Sequence, residues 1–119
     1  MSRVFVKSKI HKATVTQTDL DYEGSITLDA KLMKAADIEP YEQVHVLNLN
    51  NGNRLETYAI EGKAGSGVVC LNGAAARHAE RGDLIIVLTY QSFISKPPAG
   101  YQPRVVTVDA KNRAKKIKG

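Results

Sequence analysis

Short stretches in which apolar and polar residues alternate recur along the chain of 119 residues, with turn signals between them. Residues 3–17 begin this way, with Val4 and Val6 on one face and Phe5 and Lys7 on the other. A period of two residues is typical of a β-strand with one buried face. The same criteria predict strands in GSITLD, EPYEQVHVLNL, RLETYAIEG, VVCL, GDLIIVLTYQSF and RVVTVD. The sequence therefore predicts a mainly β fold.

Helical spacing occurs in only two places. The segment LDAKLMKAADI predicts a short helix with Asp29 as its N-cap, because the carboxylate accepts from exposed backbone N–H groups. The segment NGAAARHAE predicts a turn into one or two helical turns. Asn51 and Gly52 predict a tight hairpin turn, since both residues accept positive φ. These patterns leave a compact β-barrel and a β-sandwich open, each with small helical inserts.

Length and cysteine content indicate one domain in a reducing compartment. A chain of 119 residues is the size of a single domain, which we place at 1–119. The one cysteine, Cys70, excludes an internal disulfide and lies within VVCLN, so we interpret it as an inert buried residue. The N-terminal residues lack the apolar run of a secretory signal, and no segment is long enough to span a membrane. We therefore expect a cytoplasmic protein.

The positive charge is concentrated at the C-terminal end. The formal net charge is +5, and residues 111–119, KNRAKKIKG, hold five basic side chains and no acidic one. We interpret this segment as a solvated, mobile tail that follows a last strand in RVVTVD. Basic charge also suggests a second hypothesis, a small β-barrel that binds nucleic acid. Few aromatic residues are present to stack on bases, which opposes that hypothesis.

The dipeptide Gly24-Ser25 has two interpretations. The ordinary one is a tight turn. In the other, the serine hydroxyl attacks the preceding carbonyl and the amide rearranges to an ester. Elimination then releases the upstream peptide, and hydrolysis leaves a pyruvoyl group. Glycine suits the first position because it tolerates unusual dihedral angles. The three histidines are scattered without the spacing of zinc ligands, so we predict no metal site.

Three separated motifs decide between these interpretations. They are KSKIHKATVTQTDLDYEGSITLD, NNGNRLETYAI and LNGAAARHAERGD. In order and spacing the chain resembles the bacterial pyruvoyl-dependent aspartate 1-decarboxylases, from the N-terminus to about YQPRVVTVD. The resemblance implies a six-stranded double-psi β-barrel and a homotetramer with active sites between subunits. The basic tail lies outside the resemblance.

The resemblance also implies a self-processing enzyme. Cleavage of the zymogen at Gly24-Ser25 would give a β chain, 1–24, and an α chain, 25–119, with the pyruvoyl cofactor made from Ser25. L-Aspartate would form a Schiff base with that carbonyl, lose its α-carboxylate as CO₂ and leave as β-alanine. The product feeds pantothenate and coenzyme A biosynthesis.

Site residues are carried over from the family by position. Ser25 and Tyr58 are the catalytic residues, with Tyr58 as the proton donor to the decarboxylated carbon. Arg54 suits a two-pronged grip on the remaining carboxylate, and it shares a strand face with Tyr58 because the two are four apart. The other substrate-binding positions are Lys9, Thr57, Gly73, Ala74 and Ala75. The positions that support cleavage are Gly24, Thr57, Asn72, His11 and Tyr22.

Within that second group, Asn72 is expected to hold the Gly24 carbonyl during cleavage, and His11 to move protons near neutral pH. Two alternatives to the enzyme remain. One is the nucleic-acid-binding barrel, in which Gly24-Ser25 is a plain turn. The other is a decarboxylase homologue that neither processes nor acts.

Overall fold

Strands dominate the computed structural model, which describes all 119 residues. The strands are β1 (Ser2–Thr14), β2 (Gln17–Asp19), β3 (Ser25–Asp29), β4 (Gln43–Asn48), β5 (Arg54–Gly62), β6 (Val69–Asn72), β7 (Leu84–Ile94), β8 (Arg104–Val108) and β9 (Ala114–Lys118). The helices are α1 (Ala30–Ala35) and one 3-10 helix (Gly73–His78). The predicted mainly β fold with short helical inserts is confirmed.

The strands are hydrogen-bonded in the order β2-β6-β3-β5-β4-β7-β1-β8-β9. Neighbours are antiparallel except for three parallel pairs, which are β1 with β8, β2 with β6, and β3 with β5. Strand β7, the most hydrophobic one in the sequence, lies between β4 and β1. The order ends at β2 and β9, which are not paired with each other. A closed six-stranded double-psi barrel is therefore not confirmed.

The alternation in β1 is interrupted twice. The register with β7 shifts between Val6 and Ser8, and again between Ile10 and Ala13. At the second shift Lys12 has a φ of 64°, which is the left-handed region. Such a bulge adds one residue and changes which side chains face the core. Ile10 and Ala13 are consequently both buried although they are three apart.

The hairpin between β4 and β5 is present, as Asn51 and Gly52 predict. The two strands pair from Gln43 with Tyr58 to Leu47 with Arg54, so residues 49–53 form the loop. Only Gly52 has a positive φ, at 77°. The predicted hairpin is confirmed, and of the two residues that accept a positive φ only Gly52 adopts one, because the loop of residues 49–53 is longer than a two-residue turn.

Asp29 caps α1 as predicted and also holds a distant loop. Its Oδ1 accepts from the backbone N–H of Lys31 at 2.8 Å and of Gly65 at 3.0 Å, and its Oδ2 accepts from that of Gly67 at 2.8 Å. Burial alone would raise the pKa of Asp29, but these three donors together hold that pKa below its usual range. One carboxylate thus ties the end of β3 to the loop before β6.

A single apolar core lies between the strands and α1. Its side chains come from most of the strands, and the fully buried larger ones include Ile10, Ile26, Leu28, Leu32, Val44, Val46, Leu71, Ile85 and Val87. The structure contains no helix with the length and apolar character needed to cross a membrane.

The basic C-terminal segment contains a strand. Ala114–Lys118 forms β9, which pairs antiparallel with β8, so the expectation that RVVTVD is the last strand is wrong. Before β9, the buried side chain of Asn112 accepts from the Thr14 N–H at 2.7 Å. It also donates to the carbonyls of Thr14 and Gly67, each at 2.8 Å. The mobility of residues 111–119 stays a prediction.

Candidate active site

The Gly24-Ser25 bond lies where an exposed segment enters the sheet. Gly24 is exposed and precedes β3, whereas the Ser25 side chain is fully buried. Strand β3 forms here because Ile26 and Leu28 alternate into the core. Ser25 is paired with Asn72 on the antiparallel neighbour β6. The bond is therefore reachable from outside on its glycine side and fixed on its serine side.

A small hydrogen-bond network surrounds the Ser25 hydroxyl. The Asn72 amide donates through Nδ2 to Ser25 Oγ at 2.9 Å and to Thr27 Oγ1 at 2.9 Å. Ser25 Oγ in turn donates to the backbone carbonyl of Glu23 at 3.3 Å. The structure therefore places the Asn72 amide on the serine hydroxyl and not on the Gly24 carbonyl. A buried hydroxyl with both a donor and an acceptor is held in one orientation.

Gly73 allows the start of the 3-10 helix to pack against residues 22–25, the cleavage segment, which contains the Gly24-Ser25 bond. Its φ is 61°, and a Cβ built on it would lie 2.7 Å from Gly24 N and 2.8 Å from both Gly24 Cα and the Tyr22 carbonyl oxygen. Only glycine permits both the left-handed backbone and this close approach. In the same helix Ala75 is buried and Ala74 is exposed.

Tyr58 is the second predicted catalytic residue. The parallel pairing of β3 with β5 begins at Ile26 and Ala59, and Ser25 and Tyr58 are the residues immediately before these two on their strands. The Tyr58 ring packs at 6.4 Å from the ring of Tyr41. It lines a cavity of about 370 Å³ together with Tyr22, Glu23, Pro40, Tyr41, Ile60 and Glu61.

Arg54 is the first residue of β5, four residues before Tyr58, and lines a different cavity. That cavity, of about 480 Å³, is lined by Val4, Glu42, Gln43, His45, Arg54 and Tyr90. Arg54 and Tyr58 are four residues apart on β5, a spacing that predicts one shared strand face. The two residues nevertheless line separate cavities. Thr57 lies between them and is paired with Val44. Within one chain, the predicted substrate-binding residue Arg54 and the predicted proton donor Tyr58 therefore do not share a cavity.

Lys9 and His11 lie on β1, apart from the cleavage segment. Lys9 is paired with Leu88 and Val105, and His11 with Thr107. Neither side chain is hydrogen-bonded to residues 22–25. Burial first, then the charges of Lys9 and Lys12, lower the pKa of His11, which keeps its imidazole neutral at pH 7. Its Nδ1 is buried without a partner within this chain.

Two polar side chains of the network were missed by sequence reasoning. Thr27 accepts from the Asn72 amide, and the Cys70 thiol donates to Asn72 Oδ1 at 3.2 Å. The sequence feature that could have identified them is the period of two in a strand. Thr27 follows Ser25 by two residues, and Cys70 precedes Asn72 by two. Side chains at that spacing lie on the same face of a strand as the site residue.

The site restrains a hydroxyl beside the backbone bond that it could attack. Four covalent bonds separate Ser25 Oγ from the Gly24 carbonyl carbon, the Ser25 side chain is fully buried, and the neutral Asn72 amide donates to Ser25 Oγ at 2.9 Å. Such positioning lowers the entropic part of the barrier to an intramolecular attack. A Cβ built on Gly24 has nothing within 4 Å, so the space beside this residue is open.

Comparison with known proteins gives one consistent family. The sequence model described as "Aspartate decarboxylase" matches residues 1–115. The "Aspartate 1-decarboxylase" of Dehalococcoides mccartyi strain CBDB1 is 59% identical over 113 residues, which are 95% of this chain and 91% of the relative. The protein of that name from Moorella thermoacetica is 56% identical over 118 residues, or 99% and 92% of the two chains. The one from Myxococcus xanthus is 56% identical over 113 residues, or 95% and 87%.

Proposed function

The chain belongs to the aspartate decarboxylase family, and we propose that it converts L-aspartate to β-alanine and CO₂ with a pyruvoyl group made from Ser25. It is a lyase, and the relatives named aspartate 1-decarboxylase support aspartate as the substrate. The observation that carries the self-processing part is the buried Ser25 hydroxyl, held by Asn72 directly after Gly24. The product would enter pantothenate and coenzyme A biosynthesis in the cytoplasm.

The first proposed step is cleavage of the zymogen at Gly24-Ser25. The Ser25 oxygen attacks the Gly24 carbonyl carbon, and the amide becomes an ester with the amine of Ser25 freed. Elimination then releases residues 1–24, and hydrolysis with loss of ammonia leaves residues 25–119 with a pyruvoyl end. Asn72 restrains the attacking oxygen, at 2.9 Å. Thr57 supports this step from β5, the strand paired with β3.

The surroundings of Ser25 fit a pyruvoyl group. The position is fully buried, and the Asn72 Nδ2 donor suits an oxygen there. Once formed, the pyruvoyl carbonyl supplies the electron sink that removal of a carboxylate from an amino acid requires. Tyr58, which precedes the residue paired with Ile26 and lines a cavity with Tyr22, is the proposed proton donor.

The remaining residues are proposed to bind a small dianion. Arg54 would grip one carboxylate in a bidentate manner, and Lys9 would add positive charge. Gly73, Ala74 and Ala75 would contact the substrate from the start of the 3-10 helix, where Gly73 approaches the Gly24 backbone. Tyr22, which lines the cavity beside Tyr58, would act near the cleavage site. His11 lies apart from Ser25 within one chain, so its proposed role in cleavage requires that it reach the site of a neighbouring subunit.

A homotetramer with active sites between subunits completes the proposal. The separation of Arg54 and Tyr58 into two cavities supports it, because a second chain is then needed to bring a carboxylate-binding arginine to a proton donor. The double-psi barrel is likewise proposed from the family, and the parallel pairs β1–β8 and β3–β5 support it. Native mass spectrometry should give four times 13.0 kDa.

Decarboxylation by purified protein tests the function. We expect release of CO₂ and β-alanine from L-aspartate by the matured protein, and none by Ser25→Ala, which lacks the attacking oxygen. Tyr58→Phe should mature normally and lose most of its turnover, because it removes only the phenolic proton. Equal turnover by Ser25→Ala and the unchanged protein would overturn the proposal.

A further inference from the structure

The network at the cleavage site includes a thiol that the proposed chemistry does not use. Cys70 lies in β6 with 3% of its surface exposed, and its Sγ is 3.2 Å from Asn72 Oδ1. Across the sheet it is paired with Thr27 on one side and with Gln17 on the other. Sequence reasoning interpreted this cysteine as inert, yet it contacts the side chain that holds Ser25.

The side-chain amide of Asn72 has two orientations that fill the same space and differ by a half-turn. In the observed one, both hydrogens on Nδ2 are used, on Ser25 Oγ and Thr27 Oγ1, and Oδ1 faces the Cys70 thiol. In the reversed one, Oδ1 would face the two hydroxyls and the amide hydrogens would face sulfur. Sulfur is a weak acceptor, so a thiol that donates favours the observed orientation.

The orientation of the Asn72 amide determines which acceptor the Ser25 hydroxyl donates its hydrogen to. Because Ser25 Oγ accepts from Asn72, its hydroxyl hydrogen is free to point at the Glu23 carbonyl, 3.3 Å away. With the amide reversed, the hydroxyl would instead donate to Asn72 Oδ1, and its rotamer would no longer be fixed by Glu23. The orientation of one amide therefore sets the direction of the Ser25 hydroxyl hydrogen, and with it which lone pair of the attacking oxygen is free.

We propose that Cys70 is a positioning residue for self-cleavage, whose thiol holds the Asn72 amide with Nδ2 directed at Ser25. This inference rests on the proposed function, since it assigns a role within the cleavage step. The thiol acts as a donor and is not consumed. Burial, and then the charge of Asp19, raise the pKa of Cys70 while a hydrogen bond from Gln17 lowers it, and the net rise keeps the thiol protonated at neutral pH.

Two substitutions separate donation from packing. Cys70→Ser keeps a donor at the same place, and Cys70→Ala removes it. Each variant is purified as precursor, and the fraction cleaved at Gly24-Ser25 is followed by intact mass. We expect Cys70→Ala to cleave about tenfold more slowly or worse, and Cys70→Ser to stay within about threefold of the unchanged chain. Circular dichroism confirms that both variants fold, and Cys70→Val replaces the alanine variant if that one does not.

The outcomes are separable. If the unchanged chain never cleaves, the proposed function fails and this inference falls with it. If the unchanged chain cleaves and Cys70→Ala cleaves at the same rate, only the role of Cys70 is overturned. If Cys70→Ser is as slow as Cys70→Ala, the cysteine acts by its packing and not by donation, which also overturns the inference.

Discussion

At the scale of single residues, the cleavage site combines one exposed and one buried partner. Gly24 is open on its outer side, whereas Ser25 is fully buried and hydrogen-bonded to Asn72. A plain turn needs no such network behind its serine. The close approach of Gly73 to the Gly24 backbone adds a second constraint on the same bond.

Gly73 gives a prediction with a matched control. Gly73→Ala should slow cleavage by about tenfold or more, because a Cβ at 2.7 Å from Gly24 N must displace the bond that reacts. Gly52→Ala imposes the same kind of left-handed strain at a φ of 77°, with nothing within 4 Å of its Cβ. A time course of intact mass should show normal cleavage for Gly52→Ala. Equal rates for both variants would contradict the argument.

Asp29 gives a prediction on pH. Its folded-state pKa lies below its unfolded value of about 3.9, so its stabilising effect is fully present above that value and is lost as the pH falls through the folded pKa. Asp29→Asn replaces one acceptor oxygen by a donor facing backbone N–H groups. It should therefore lower the free energy of unfolding at pH 7 by about 1–3 kcal/mol.

Urea denaturation between pH 7 and pH 3 measures the free energy of unfolding of the unchanged chain and of Asp29→Asn. The difference in unfolding free energy between the unchanged chain and Asp29→Asn should shrink as the pH falls below about 4. In that range Asp29 of the unfolded chain takes up a proton, whereas Asp29 of the folded chain stays ionised until the pH reaches its lower folded-state pKa. A difference that stays constant down to pH 3 would show that the carboxylate charge is not involved.

At the scale of elements, the sequence predicted most strands and one pairing, the hairpin of β4 and β5, but neither the irregularities of the strands nor their other partners. The bounds of β5 coincide with the predicted strand RLETYAIEG. In β1 the bulge at Lys12 was not predictable, since a period of two assumes an unbroken ladder. Strand β9 was missed because all five of its residues are exposed, so it has no apolar face to detect.

The C-terminal segment gives a prediction at this scale. Its anchor is the buried Asn112 side chain, with three hydrogen bonds, and β9 beyond it is exposed. Asn112→Gly tolerates the φ of 60° and removes only those bonds, so it should cost about 2 kcal/mol or more. Deletion of residues 114–119 should cost about 1 kcal/mol or less, because surface changes weigh little. Thermal or urea denaturation measures the loss of stability in each of the two variants. A larger loss for the deletion than for Asn112→Gly would contradict the assignment of Asn112 as the anchor.

At the scale of the whole molecule, the candidate site is assembled from segments far apart in sequence. Ser25 lies 47 positions from Asn72. Tyr58 comes from the strand that is parallel to β3. The three motifs predicted through the family resemblance that these residues belong to one site. The period of two within a strand does not show which distant strands pair or in which register. Thr27 and Cys70 were within reach of the period of two, but only once β3 and β6 were known to pair.

The claim on which the others depend is that the Gly24-Ser25 bond breaks and leaves a pyruvoyl end. Intact mass spectrometry of the purified, fully incubated protein tests it most directly. We predict two fragments, residues 1–24 and residues 25–119, the second lighter by one ammonia than a fragment that begins with serine. A single uncleaved chain of 13.0 kDa would contradict the account and leave the nucleic-acid-binding barrel or the inactive homologue.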